Sequence, residues 1–291
     1  PAQGRLGEKP EAGHASVCSP LWVGAAAGEI GRYGDEADWP TDQREDDGGS
    51  LVWMTTPLPQ PVEILGAPRL HLRVASDKPL ALVAVRLCDI APDGASTRVT
   101  LGLLNLAHHK GHDQPQPLVP GEPVNVVIEL DDIAHAFPAG HRIGLSLSSV
   151  YWPVAWPSPD LATLTVDLAE TSLVLPTRPP RPEDAALRAF DPPEMAPESP
   201  VIHHSVRAAH PRRVTRDLLS GRITVDFPRW CYDHEFPDIG IRQASEGHAR
   251  YQITDGNPLS AVMETAYRVV QSRADGVFTH DSRSRMTCDE R

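Results

Sequence analysis

Residues 120–148, PGEPVNVVIELDDIAHAFPAGHRIGLSLS, decide the fold. Val124, Val126, Ile128 and Leu130 share one side of a period-two pattern, with Asn125 and Glu129 on the other. Ile143, Leu145 and Leu147 repeat it after the turn signal Pro138-Ala139-Gly140, and Pro120-Gly121 marks the turn before it. Alternation sends every second side chain to one face, so each run predicts a strand with one side buried. Working outward, Leu70, Leu72 and Val74 alternate with His71 and Arg73. Val83, Val85 and Leu87 alternate with Ala84, Arg86 and Cys88, and Leu164, Val166 and Leu168 close the series. Pro92-Asp93-Gly94 supplies another turn. Short strands at this spacing, with no helix-period stretch between them, predict a mostly β fold: an antiparallel, jelly-roll-like β-sandwich over residues 51–176.

The flanks read differently. Residues 1–50 lack sustained periodicity and read as an extended lead-in, with the acidic run Asp42-Gln43-Arg44-Glu45-Asp46-Asp47 as a solvated loop. Residues 177–200 are crowded with proline and read as a linker or a strap laid over a surface. Beyond them, 201–206, 222–227, 249–253, 263–270 and 276–278 are strand-like, which makes 201–291 a second, incomplete β unit. A helix over Ser260–Val270 is an open alternative. The beginning, Pro1-Ala2-Gln3-Gly4, and the end, Met286-Thr287-Cys288-Asp289-Glu290-Arg291, both read as cut from a longer coding sequence.

Composition excludes several function classes. The formal net charge of −12 opposes a non-specific grip on nucleic acid or docking on an anionic membrane. No apolar run reaches the length of a membrane-spanning helix, and no basic-then-apolar leader is present. Cys18, Cys88, Cys231 and Cys288 are too dispersed for a zinc site or a disulfide scaffold, so reduced thiols and a cytoplasmic location are expected.

Candidate chemistry is sparse. A Gly-x-Ser-x-Gly nucleophile elbow is missing; Gly48-Gly49-Ser50-Leu51-Val52 and Gly144-Leu145-Ser146-Leu147-Ser148 both lack the closing glycine. Ser146 and Ser148, with His135 and His141 nearby, fall on the polar side of a strand, and the two histidines flank a turn that they are expected to shape. His108, His109 and His112 read as loop histidines rather than zinc ligands, and Asp93-Gly94 reads as a turn rather than part of a calcium site with Asp89, Asp131 and Asp132. No catalytic residue, metal or cofactor is expected. The candidate contact residues are aromatic: Tyr151, Trp152 and Trp156 in a proline-punctuated strand exit, with Phe137. They read as a plug for their own sandwich, a contact to a partner domain, or a ligand platform.

Several strings carry a resemblance when taken in order. They are Ser19-Pro20, Ala25-Ala26-Ala27-Gly28-Glu29, the 42–47 acidic run, Pro61-Val62-Glu63-Ile64-Leu65-Gly66 and Arg86-Leu87-Cys88-Asp89 with Pro92-Asp93-Gly94 through Thr100. Ala134-His135-Ala136-Phe137-Pro138-Ala139-Gly140-His141-Arg142-Ile143 and Tyr151-Trp152-Pro153 follow. Thr215-Arg216-Asp217-Leu218, Asp255-Gly256-Asn257-Pro258-Leu259-Ser260-Ala261 and Met286-Thr287-Cys288-Asp289 extend the set into the tail. Together they resemble the C-terminal region of the CocE/NonD hydrolases, the group of X-Pro dipeptidyl-peptidases and cocaine esterase. The resemblance implies a galactose-binding-like jelly roll that packs on an α/β-hydrolase domain and helps wall its active site. The Ser-Asp-His triad of such proteins lies upstream of the matched region, so no catalytic role transfers to any residue here. A free-standing module that binds carbohydrate or protein is the alternative, and oligomerisation is left open.

Overall fold

The computed structural model describes residues 3–7, 12–28, 39–197, 200–206, 212–228 and 231–288. Parts of the expected lead-in, Glu29 of the quoted motif, residues 198–199 of the linker and the terminal 289–291 lie outside them. In chain order the strands are β1 (Gln3–Arg5), β2 (His14–Val17), β3 (Leu51–Met54), β4 (Val62–Gly66), β5 (Arg69–Ser76), β6 (Leu82–Ile90), β7 (Ser96–Asn105), β8 (Val124–Glu129), β9 (Ile133–Phe137) and β10 (Arg142–Ser148). There follow β11 (Leu164–Asp167), β12 (Ser172–Val174), β13 (Ile202–Val206), β14 (Arg213–Arg216), β15 (Arg222–Pro228), β16 (Tyr232–Phe236), β17 (Ile241–Thr254), β18 (Asn257–Arg273) and β19 (Gly276–Thr287). One short helix, α1 (Arg44–Asp47), precedes β3.

The period-two runs do form a sandwich. One sheet has the order β1-β3-β10-β6-β7, antiparallel except where β1 joins β3. In the other, β8 lies on one edge of β5, β11 and β12 share its second edge, and β2 pairs with β11. The alternating residues meet between the sheets: Val83, Val85, Leu87, Ile143, Leu145 and Leu147 from one face Leu70, Leu72, Val74, Val126, Ile128 and Leu164 from the other. Strands β4 and β9 form a separate two-stranded ribbon.

The C-terminal strands make a third sheet. β17 takes β15 and β16 along one edge and β18 on the other, and β19 pairs with β18. Ser260–Val270 is therefore strand, not helix. Each of its positions from Val262 onward pairs with both β17 and β19, and that two-sided ladder outweighs its helical spacing. Ile223, Val225, Phe227, Ala249, Ile253 and Ala261 pack one end of this sheet against Leu21, Val150 and Trp152 of the N-terminal part.

The lead-in behaves as more than a lead-in. β2 extends one sandwich sheet, β1 the other, and residues 19–28 and 41–50 cover the outer face of β6. Consequently every residue of β6 is buried. The acidic run, expected as a solvated loop, includes α1, whose Asp46 is fully buried. The reason is a single buried cation beneath it.

Candidate functional site

Arg86 is that cation. Period-two alternation in β6 aims it away from the core, onto the face that α1 covers, and leaves its side chain 1 % exposed. Its Nη2 donates to Ser50 Oγ at 3.0 Å and lies 3.0 Å from Asp47 Oδ1, while Nη1 donates to Gln43 Oε1 at 3.1 Å. Asp46 Oδ2 stands 3.9 Å from Nη1 with no hydrogen-bond partner among the described residues. Burial pushes the Asp46 carboxyl up to about 6, against the pull of Arg86 and of backbone N–H groups at Gly24 and Ala26. One guanidinium faces two carboxylates, and Asp47 is the closer.

The same face consumes the candidate serines. Ser146 Oγ donates to Asp47 Oδ1 at 2.6 Å, and Ser148 Oγ donates to the Val150 carbonyl at 2.9 Å. Neither bonds a histidine, so neither has a base within reach. Cys88 also lies here, and burial pushes its thiol up to about 12, which keeps it inert.

The aromatic segment splits across this region. Tyr151 turns toward β6 and β7 with Val23, Ala27, Ala84 and Leu101, and its hydroxyl accepts from Arg98 Nη1 at 3.0 Å. Trp152 turns the other way, into the contact with the C-terminal sheet. There it meets Trp156 edge-on at 5.2 Å and Tyr251 at 6.0 Å. Trp156 Nε1 donates to Cys288 Sγ at 2.6 Å. Phe137 lies apart from these three, in the sandwich core under His135. Tyr151, Trp152 and Phe137 are 0–1 % exposed. These three rings are covered by their own chain, and with Trp156 they join three parts of it. Gly24 makes the join possible: it has φ +109°, and a Cβ there would lie 2.4 Å from the Trp152 carbonyl oxygen.

His135 and His141 converge on Asp89, at the end of β6. His135 Nε2 is 3.1 Å from Oδ2 and His141 Nδ1 is 2.7 Å from Oδ1. The bridge ties β9 and the turn before β10 to β6, as expected of histidines that shape that turn. Beside it, Glu63, Ile64, Leu65, Ala134, Ala136 and Arg178 line a shallow depression of about 320 Å³. Arg178 enters with the start of the proline-rich strap, held because its N–H donates to the Glu63 carbonyl and its guanidinium pairs with Asp184. That pairing, chiefly the Arg178 hydrogen bond, lowers the Asp184 carboxyl to about 2.

The other candidates stay apart. His108 and His112 approach each other at 3.1 Å, but His109 bonds the Leu106 carbonyl instead. Asp93 accepts from the Ala95 N–H in its turn. Among the described residues no group of three His, Cys, Asp or Glu is arranged to hold a metal.

Comparison with known proteins gives this architecture a family. The model of the X-Pro dipeptidyl-peptidase C-terminal non-catalytic domain matches residues 6–215, well over half of the chain. The chain belongs to this family. Cocaine esterase of Rhodococcus sp. is 29 % identical over 116 residues, covering 39 % of this chain and 20 % of the esterase. A putative Xaa-Pro dipeptidyl-peptidase of Streptomyces avermitilis is 23 % identical over 182 residues, 48 % of this chain and 27 % of that protein. The chain thus matches only about a fifth to a quarter of these relatives. Among solved structures, an α-amino acid ester hydrolase superposes with a TM-score of 0.54 at 24 % identity, over 61 % of this chain and 35 % of its own. The resemblance read from the ordered motifs is therefore borne out. The matched span of the X-Pro dipeptidyl-peptidase C-terminal domain takes in the lead-in, the sandwich and the strap, and ends at β14.

Sequence reasoning missed Arg86, Asp46 and Gly24 as organising residues. A signal for Arg86 existed: β6 reads LVAVRLCDI, apolar but for Arg86 and Asp89, and a strand apolar on both faces is covered on both. Asp46 and Gly24 carried no local signal, because their partners are distant in sequence.

Proposed function

We propose that this chain braces an α/β-hydrolase catalytic domain and completes one wall of its substrate cleft, contributing shape and burial while a serine elsewhere does the chemistry. The reading rests on one observation: a family described as non-catalytic matches residues 6–215, and relatives named as esterases and dipeptidyl-peptidases are several times longer than the matched region. The whole protein would transfer acyl groups from amides or esters to water. We assign the contact with the catalytic domain to the depression beside β4 and β9, where Leu65 is 55 % exposed between Glu63 and Arg178 of opposite charge. Tyr151, Trp152, Trp156 and Phe137 serve that contact from inside, by holding the lead-in, the tail and the β9 end in place. The cytoplasmic expectation stands on four free cysteines, and no helix among the described residues is long and apolar enough to cross a membrane.

The test is the coding sequence on either side of this segment. The reading expects an adjoining frame, in the same or a neighbouring gene, with a Gly-x-Ser-x-Gly elbow followed by its Asp and His. Adjoining sequence with no hydrolase would contradict it, and a free-standing binding module would replace it.

A further inference from the structure

The loop that leaves β7 brings two imidazoles together on a fixed backbone. A single helical turn over Leu106–His108 follows the strand, and the Asn105 side chain caps it by accepting from the Ala107 N–H at 3.0 Å. Leu106 and Ala107 are buried, and the Leu106 N–H donates to the Ala81 carbonyl at 2.8 Å, so His108 starts from an anchored place. The Gly111 N–H then donates to the His108 carbonyl at 2.9 Å. Gly111 has φ +136°, which L side chains rarely adopt, and it turns the chain back on itself. His112 returns to His108 with the two Nδ1 atoms 3.1 Å apart and the ring centroids 5.1 Å apart. The Gln116 N–H closes the loop on the Ala107 carbonyl at 2.7 Å.

We propose that His108 and His112 chelate a divalent transition cation of the Cu²⁺ and Ni²⁺ class through their two Nδ1 atoms. Imidazole nitrogen suits such ions. With the nitrogens 3.1 Å apart, a cation about 2.1 Å from each would see them at about 95°. That is the angle between neighbouring ligands in a square-planar or octahedral field, which Cu²⁺ and Ni²⁺ adopt, and it is narrower than tetrahedral zinc requires. A neutral imidazole can hold its proton on Nε2, so both Nδ1 lone pairs become free without net loss of a proton. A single N–H···N hydrogen bond holds the pair until the ion replaces it.

The surroundings favour a cation. Lys110 Nζ is drawn to Gln116 Oε1 at 3.0 Å. Asp113 sets its carboxylate against the same turn, where a Cβ on Gly111 would lie 2.9 Å from Oδ1. His109 is not a ligand, because its Nδ1 donates to the Leu106 carbonyl at 2.9 Å. Among the described residues no third His, Cys, Asp or Glu is arranged with the pair, which leaves the remaining positions to water and makes the ion exchangeable rather than structural. A second ring pair, His203 with His234, is edge-to-face at 4.4 Å and serves as the control. This inference stands independently of the proposed catalytic partner.

The experiment titrates the whole chain and its variants with CuCl₂, read by isothermal titration calorimetry and by electron paramagnetic resonance. The unaltered chain is expected to show one tightest site, with hyperfine splitting from two nitrogens at one equivalent of copper. His108→Gln and His112→Gln each leave one imidazole, and each should weaken that site roughly tenfold or more, because the second ligand no longer binds within the same molecule. Gly111→Ala keeps both histidines but strains the turn, and should weaken the site as well. His109→Gln and His203→Gln should leave it unchanged, and NiCl₂ should repeat the pattern. Circular dichroism of each form separates loss of the site from loss of fold, and the spectrum of the unaltered chain needs no variant. A tightest site that survives both His108→Gln and His112→Gln overturns the proposal. So does a site that depends on only one of them, a single-nitrogen spectrum, or an equal loss in the two control variants.

Discussion

β6 and β19 are both strands with alternating side chains, yet one is buried at every position and the other exposed at every position. Both carry charge: Arg86 in β6, and Asp281, Arg283 and Arg285 in β19. The difference comes from what sequence-distant segments do. Residues 19–28 and 41–50 fold over β6 and supply Gln43, Asp47 and Ser50 to its arginine. Nothing described folds over β19. Alternation fixes which side chains share a face, and a separate tertiary event decides whether that face is sealed.

The comparison can be broken hardest at the seal. Trp152→Ala removes a buried ring where the sandwich, lead-in and C-terminal sheet meet, and should cost ~3–5 kcal/mol. Urea denaturation will read the loss, and a cost near zero would show that the C-terminal sheet does not depend on this contact. Arg86→Ala strands Asp47 without its cation and should cost about 3–5 kcal/mol, whereas Arg86→Met, which also removes the charge but fills most of the volume, should recover only the packing part of that cost unless Asp47 is changed with it. A double-mutant cycle with Asp47→Asn measures that coupling.

Asp46 sharpens the comparison through pH. Burial raises its folded carboxyl to about 6, above the ordinary aspartate value of 3.8, so the folded chain holds this proton more tightly than the unfolded chain does. Its contribution to stability is full below about pH 4, falls as pH rises toward 6, and is flat above. Asp46→Asn does not titrate there. Its stability relative to the unaltered chain should therefore improve between pH 4 and 7, by roughly 2–3 kcal/mol. Midpoints of urea unfolding at each pH check this; a constant difference would mean Asp46 stays ionised. The smallest effect belongs to the open strand: Thr279→Ser on β19 should change monomer stability by less than about 0.5 kcal/mol.

Much of the fold was legible. The runs at 70–74, 83–87, 124–130, 143–147 and 164–168 became β5, β6, β8, β10 and β11, because a half-buried sheet writes its period into the sequence. Of the tail strands, β13, β15, β17, β18 and β19 were legible in place but, for the last three, not in length, and β14 and β16 were not read at all. Val262–Val270 shows little alternation because β18 has neighbours on both edges and only one end of its sheet is covered. The site was legible only in part. Tyr151, Trp152 and Trp156 were recognisable as aromatics with a packing task, but what covers them comes from Leu21 and from β15, β17 and β18. Arg86 looked like a solvent-facing strand residue, since its neutralising carboxylate sits 39 positions earlier in a segment without periodicity.

The central claim is that the chain serves a serine hydrolase without supplying its nucleophile. Native gene product, captured with an antibody against this chain and treated with a fluorophosphonate probe, tests it directly. The account predicts one labelled serine outside residues 1–291, on the same polypeptide or on one captured with it, and no label on the isolated chain. A labelled serine within residues 1–291, or no labelled serine at all, would contradict it.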